Sequence, residues 1–329
     1  MTPRPPPDVL VAVVTWNSVD VLPSFLATLP SALAPATSEL VVADNASTDG
    51  TVEVARALAP AARVVAMAAN AGYAAAINAA VATGSRAPAI LVCNPDIRLA
   101  PDAVPGLLDT LRTPGTGIAV PRLADAEGRL AHSLRREPTV TRALGEALVG
   151  GRRSGWLAPF GEVVRDPSRY GAPTVADWAS GAVMLISREC WDIVGPWDES
   201  FFLYAEETDF ALRARDAGFS LRLTPDARAI HIGGESHSSP DLWALLTLNR
   251  LRLYRSRHGR ARTAAFRLAL ATNAGLRLVT GRPTHRRALR ALVGSERRFR
   301  QRLAEDRGWP VADPRRPALL RRKGRFGCA

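Results

Sequence analysis

Four short apolar runs recur early in the chain, at Val9–Val14, Leu40–Val42, Val64–Ala66 and Ile90–Cys93, each followed within a few residues by a polar or turn-forming stretch. Runs this short, continuous and bounded by turns have the pattern of strands buried on both faces. Between them, at about Val19–Leu29, Thr51–Leu58 and Tyr73–Ala82, apolar residues recur at helical spacing. Ser47, Thr48 and Asp49 supply capping-type side chains just ahead of the second helix. The alternation predicts a parallel sheet with crossover helices over roughly the first 120 residues.

From Ala124 to Ala176 the pattern is periodic only in patches and rich in Gly, Pro and Arg, which predicts a loop-rich insertion facing a substrate. Order returns at Asp177, with strand, short helix, loop, helix, strand and strand in succession up to Ser236. The helix expected over Glu206–Ala217 is closed by Gly218. It puts Glu206 above Phe210 and Ala214, Glu207 above Ala211, and Asp209 within reach of Arg213. A further helix over Pro240–Arg257 aligns Leu242, Leu245, Leu246, Asn249 and Leu253 along one side. Beyond Gly259 the chain is rich in Ala and Arg, reads as helical to about Leu303, and then becomes Pro-rich and loose.

The chain has 329 residues, 47% of them hydrophobic, enough for a large α/β core. Cys93, Cys190 and Cys328 are far apart, odd in number and without metal-ligand spacing, which disfavours a disulfide framework or a zinc site and fits a reducing compartment. No signal-peptide-like apolar region precedes the first strand and no stretch is apolar enough to span a bilayer, so the expected location is cytoplasmic. Net charge is +12 but unevenly placed: from Arg250 onward the chain carries +19, and the remainder −7. Such a block marks either a solvated basic face or an anionic partner. Without the aromatic or zinc-finger patterns of nucleic-acid binders, an anionic membrane surface ranks above nucleic acid.

Three places combine chemistry with position. Asp96 follows a strand-like run and Pro95, at the carboxyl end where open α/β sheets bind ligands; a turn cap is the plainer reading. Glu206 and Glu207 open a helix, where acids also favour the dipole; a carboxylate at the mouth of a core would serve as a general base. His231 follows another strand-like run and precedes two glycines, a position that suits either a structural histidine or a ligand. Neither a dinucleotide fingerprint nor a Walker loop is present.

The segments "VVTWNS", "LVVADNASTDGT", "NAGYAAAINAA", "CNPD", "WASGAVM", "YAEETDFALRARDAG" and "HIGGES", in this order, closely resemble family 2 glycosyltransferases, above all their rhamnosyltransferase-like branch. The likeness spans about Val9 to Tyr254. It implies an α/β GT-A fold, a Rossmann-like central mixed sheet flanked by helices, with a C-terminal helical basic extension. The implied catalytic domain covers 1–258, with a donor-binding half at about 8–122 and an acceptor half at about 123–258, followed by an Arg-rich tail at 259–329. The implied activity is inverting transfer of a sugar from a nucleotide-sugar donor to a hydroxyl of a cell-wall, polysaccharide or polyprenyl-linked glycan acceptor. Rhamnose from a dTDP donor leads, and a UDP- or GDP-sugar donor or a non-catalytic sugar-nucleotide-binding protein are the alternatives. The tail is expected to contact the inner face of the cell membrane peripherally.

Residue by residue, the resemblance implies that Thr15, Asn17, Asp44 and Asn45 bind the nucleoside, with Asp49 shaping their loop. Asn70, Gly72, Asn78 and Asn94 are implied to line the donor side. Asp96 is implied to hold a divalent cation, Mg2+ or Mn2+, with His231 completing the site. Glu207 is implied as the base, beside Glu206, and Trp178, Ser180 and Gly181 as the acceptor side. Two positions depart from the family pattern: Asn94-Pro95-Asp96 replaces the fuller Asp-x-Asp motif, and Glu207 stands where aspartate is usual.

Overall fold

A computed structural model describes residues 6–233 and 239–307. Residues 234–236 of "HIGGES", Cys328 and the Pro-rich end at 308–329 lie outside the described residues.

Strands β1 (Val9–Thr15), β2 (Ser38–Asp44), β3 (Arg63–Ala66) and β4 (Ala89–Cys93) are parallel and lie in the order β3-β2-β1-β4. Each contains its expected apolar run and extends it by one to four residues, because the ladder continues into the flanking polar positions. All seven residues of β1 are buried. Alternate residues face opposite layers: Leu10, Ala12 and Val14 pack in one apolar cluster and Val9, Val11 and Val13 in the other. Helices α1 (Leu22–Leu33), α2 (Thr51–Leu58) and α3 (Tyr73–Thr83) make the crossovers. The first starts three residues later than the apolar spacing predicts, since Ser18 accepts the amides of Val21 and Leu22 in a turn and Pro23 then presets the first helical φ.

The sheet continues with mixed direction. β5 (Ile97–Leu99), α4 (Ala103–Leu111) and β6 (Thr116–Ala124) are followed by the short β7 (Leu134–Arg135), α5 (Val140–Val149) and α6 (Gly151–Ser154). Then come β8 (Thr174–Ala176), β9 (Trp178–Ala179), β10 (Val183–Ser187), α7 (Arg188–Val194), α8 (Glu206–Asp216) and β11 (Ser220–His231). Beyond β4 the strand order is β10-β6-β11-β5, with β10 antiparallel to both β4 and β6. The two strands expected after α8 are one long strand whose register against β6 shifts between Thr224 and Arg228, around Pro225, which has no amide to donate. The segment expected to be loop-rich contains α5. Its helical signal is weakened by Gly145, where a Cβ would lie 2.2 Å from the Phe160 carbonyl oxygen, so close packing demands a residue of poor helix propensity.

Helices α9 (Pro240–Arg257), α10 (Arg260–Leu276), α11 (Pro283–Val293) and α12 (Glu296–Arg307) complete the molecule. Leu245, Leu248, Phe266, Leu270, Leu292 and Phe299 share one apolar cluster with Ala143 of α5, and Tyr254 stacks on Phe266 with ring centroids 4.1 Å apart. Rather than burying a single side, α9 is enclosed on several, so that Thr247, Asn249 and Arg252 are buried with its leucines. Among the described residues no helix is long and apolar enough to cross a membrane.

Candidate active site

The chain runs outward from β1 to β3 and returns to β4 on the other side of β1, so the carboxyl ends of β1 and β4 flank the switch point where such sheets bind ligands. Thr15 and Asp44 end β1 and β2 there. The Thr15 hydroxyl donates to Asp44 Oδ1 at 2.8 Å, and Asp44 Oδ2 accepts the Ser47 amide at 2.8 Å. Asn17, in the left-handed region at φ 48°, accepts the Thr48 amide on its side-chain oxygen at 2.9 Å. Asp49 accepts the amides of Val19 and Thr51 and so closes the same loop. Asn45 donates to the Gly72 carbonyl at 3.1 Å, and Asn70 accepts the Gly72 amide at 3.1 Å. At Gly72, with φ 95°, a Cβ would lie 2.3 Å from the Phe202 carbonyl oxygen; only glycine lets the two loops meet. Asn78 is engaged elsewhere, exchanging hydrogen bonds with the backbone of Trp197 and donating to Glu199.

The Asn94 amide donates to the Ala182 carbonyl at 2.9 Å and ends the β4 ladder. The chain then reverses into β5, which pairs with the last residues of β11, His231 opposite Ile97. That pairing brings Asp96 Oδ2 to 3.3 Å from His231 Nε2. Asp96 Oδ1 is buried without a hydrogen-bond partner, and a Cβ at Gly233 would collide with Asp96 Oδ2 at 2.0 Å. An orphaned carboxylate oxygen beside an imidazole, with no side chain at Gly233 to crowd the carboxylate, fits a divalent cation. Among the described residues no three His, Cys, Asp or Glu side chains form a group that would hold a metal alone. Mg2+ and Mn2+ suit such a sparse set, completing their shell from phosphates and water.

Across the site, α8 presents its two glutamates differently. Glu206 is 2% exposed with Oε2 unpartnered; burial, and then its neighbour Glu207, push its carboxyl well above the usual range. Glu207 passes alongside Gly181, where a Cβ would lie 3.1 Å from Glu207 Cβ. Burial raises its pKa to about 7, while the amides of the first turn of α8 and the Arg135 guanidinium resist a larger rise. Asp209 pairs with Arg213 at 2.7 Å, as the helical spacing predicts.

Glu207 borders a cavity of about 790 Å³ that also includes Trp178, Ser180, Arg135, Glu146, Glu162 and Arg250. Trp178 is held by its indole N–H donating to the Arg136 carbonyl at 3.0 Å, and Ser180 by its amide donating to the Ser133 carbonyl at 3.1 Å. Sequence reasoning missed several supporting residues. The Tyr73 hydroxyl donates to the Gly181 carbonyl at 3.2 Å, linking the donor and acceptor sides. Arg135 lies over the Trp178 ring at 5.7 Å. Arg250 pairs with Glu162 at 2.6 Å and Glu146 at 3.2 Å, tying α9 to the 124–176 segment. Only the presence of isolated Glu and Arg in apolar surroundings hinted at this network.

The sequence profile of glycosyl transferase family 2 matches residues 10–160. A curated relative, the N-acetylglucosaminyl-diphospho-decaprenol L-rhamnosyltransferase of Mycobacterium tuberculosis, is 32% identical over 238 residues, 68% of this chain and 76% of that protein. Rhamnosyltransferase WbbL of Escherichia coli K12 is 35% identical over 66 residues, 20% of this chain and 25% of its own. Among solved structures, the mannosyltransferase PcManGT from Pyrobaculum calidifontis, in complex with GDP-Man and Mn2+, matches with a TM-score of 0.55 at 18% identity, over 92% of this chain and 80% of that one. GalNAc-T7 with UDP, GalNAc and Mn2+ matches with a TM-score of 0.51 at 16% identity, over 76% and 50%. At these identities the likeness concerns the fold, which is GT-A.

Proposed function

Because the chain belongs to glycosyl transferase family 2, we propose that it transfers a sugar, rhamnose from a dTDP donor first among candidates, to a hydroxyl of a polyprenyl-diphosphate-linked glycan, with inversion. The observation that carries this is Glu207, a carboxylate of raised pKa at the wall of a cavity beside the residues expected to contact acceptor. The curated mycobacterial relative, by its name, acts on a decaprenyl-linked acceptor, which supports the choice of acceptor class.

In this reading the loop built on Thr15, Asn17, Asp44, Asn45 and Asp49 receives the nucleoside, and Asn70, Gly72 and Asn94 border the donor sugar and diphosphate. Asp96 and His231 would hold Mg2+ or Mn2+, whose positive charge offsets the charge gathering on the departing diphosphate. Trp178, Ser180 and Gly181 orient the acceptor hydroxyl towards Glu207. With a pKa of about 7, Glu207 is substantially ionised near neutrality and still basic enough to take the hydroxyl proton. Burial, and then the neighbouring Glu207, raise the Glu206 carboxyl well above its ordinary range, which disfavours a second charge beside the base. One base is enough for a single displacement that inverts the anomeric centre, whereas a hydrolase needs two carboxyl groups. Since a polyprenyl-linked acceptor resides in a bilayer, the enzyme would work peripherally at the inner membrane face.

The test is an assay of dTDP-rhamnose, UDP-sugars and GDP-sugars with Mn2+ and a polyprenyl-diphosphate N-acetylglucosamine acceptor, following nucleotide release and the anomer formed. Retention of configuration would overturn the mechanism. Calorimetric donor binding with no turnover would leave a sugar-nucleotide-binding protein. Asp96→Ala should fold, because β5 and β11 stay paired through their backbones without the Asp96–His231 contact, and should lose nearly all transfer together with Mn2+ binding. Unchanged Mn2+ dependence in that variant would return Asp96 to the role of a turn cap.

A further inference from the structure

The cavity beside Glu207 extends to a corner where α5 ends and α6 begins, next to the junction of α10 and α11; Gly151, Arg152, Arg277 and Arg282 border it there. Arg277 joins the two parts, donating to the carbonyl oxygens of Glu146 at 2.7 Å and Ala147 at 3.5 Å. Around this corner large apolar side chains face solvent. Leu148 is 70% exposed, Trp156 59%, Leu157 55% and Val279 90%. Scattered exposed apolar residues are ordinary, but a group of them flanking Gly151, Arg152 and Arg277, which border a cavity, marks a contact surface.

The exposed charge on the two segments that carry the group is of one sign. Neither residues 148–161 nor residues 276–290 contain an Asp or Glu, and Arg152, Arg153, Arg282, Arg286 and Arg290 are exposed within them. Aromatic and aliphatic side chains set among exposed arginines complement the boundary between anionic headgroups and acyl chains, and the acids closest to them are already engaged: Glu146 and Glu162 are buried and paired with Arg250, and Asp241 is paired with Arg287. A protein partner of ordinary composition would call for both signs of charge.

We propose that this corner docks on an anionic lipid bilayer, with Trp156 and Leu157 entering the headgroup boundary and the arginines meeting lipid phosphates. The mouth of the cavity then lies at the membrane surface. The docking gains its use from the lipid-linked acceptor proposed above, but the surface stands on its own geometry.

The experiment is flotation of the whole protein with vesicles of phosphatidylglycerol and phosphatidylcholine, or of phosphatidylcholine alone, at low and high salt. Binding is expected on the anionic vesicles at low salt, and should weaken by about tenfold or more on neutral vesicles or at high salt. Trp156→Ser combined with Leu157→Ser, and separately Val279→Asp, should each reduce anionic-vesicle binding several-fold while leaving the thermal transition in place. Wild-type affinity in both variants, no binding by the parent, or a dimer in solution that these variants dissociate would overturn the proposal. Donor turnover is measured alongside: turnover without vesicle binding removes the docking and keeps the transferase, and vesicle binding without turnover does the reverse.

Discussion

Glu206 and Glu207 are neighbours in sequence, yet their environments separate them. Their helical register was legible, because a 3.6-residue period puts Glu206 over Phe210 on the core side. Their acidities were not, since those depend first on burial by parts of the chain distant in sequence and, for Glu207, also on Arg135. Glu207 ionises through about 7, so kcat/KM should rise with pH across that value. Glu207→Gln should cut transfer by about 100-fold or more and flatten the pH dependence, with donor affinity retained. Stability has the opposite slope. A carboxyl whose folded pKa lies above its ordinary 4.5 holds its proton longer in the folded state, so its contribution is complete below about 4.5 and is lost as pH rises through about 7. Thermal melts of Glu207→Gln should lack that decline; comparable activity loss in Glu206→Gln with Glu207→Gln nearly normal would move the base back one residue. Position in the chain left Asp96 and His231 two separate candidates and only the family resemblance put them in one site, because β5 and β11 bring together residues far apart in sequence.

At the scale of elements, the loop before α8 carries a constraint that no local pattern revealed. Phe202, Tyr204 and Ala205 all have φ between 65° and 74°, a left-handed conformation unfavourable for side-chain-bearing residues. Asn249, fully buried in α9, holds them: its amide nitrogen donates to the carbonyls of Phe201 at 2.9 Å, Leu203 at 2.8 Å and Tyr204 at 3.1 Å. Its oxygen accepts from Arg300 of α12 at 2.6 Å. The sequence predicts an apolar side for α9 that includes Asn249, but an asparagine among leucines does not say which carbonyls it serves. Because this loop leads into Glu207 and also receives the amide of Tyr73, Asn249 would position the proposed base. Asn249→Ala removes the donor that these carbonyls share and one of the partners of the buried Arg300 guanidinium, which keeps Glu296, and should cost roughly 1–3 kcal/mol in denaturant unfolding. It should lower kcat well beyond any change in donor KM. A loss of stability with kcat intact would leave Asn249 a purely structural residue.

Across the whole molecule, charge and packing pull the basic extension in different directions. Composition marks the chain from Arg250 onward as a block of +19, and the sequence permits a detached amphipathic anchor. The described part is instead built into the protein. In α11 the apolar residues Ala288, Ala291 and Leu292 are buried, leaving Arg286 and Arg290 outward. In α12, Phe299 and Leu303 are buried, whereas Arg297 and Arg298 are exposed. In the proposed docking a bilayer would meet the arginines and the exposed corner near α6, while the apolar faces of these helices remain committed to the interior. Periodicity revealed those faces but not their partners, because membrane and protein surfaces ask for the same stripe. Deleting everything after Gly259 should consequently do more than remove charge. It uncovers Tyr254, Leu245 and Leu248, strips Phe266, Leu270, Leu292, Phe299 and Leu303 from the cluster, and takes Arg300 from Asn249. Each large apolar side chain contributes about 1.5–3 kcal/mol on burial, so losing five removes an amount comparable to the whole margin of a typical domain. The truncated chain should show no cooperative thermal transition near that of the full chain and should lose transfer even to a soluble acceptor. A truncated protein that melts like the full chain and turns over donor normally would establish the extension as a separable anchor.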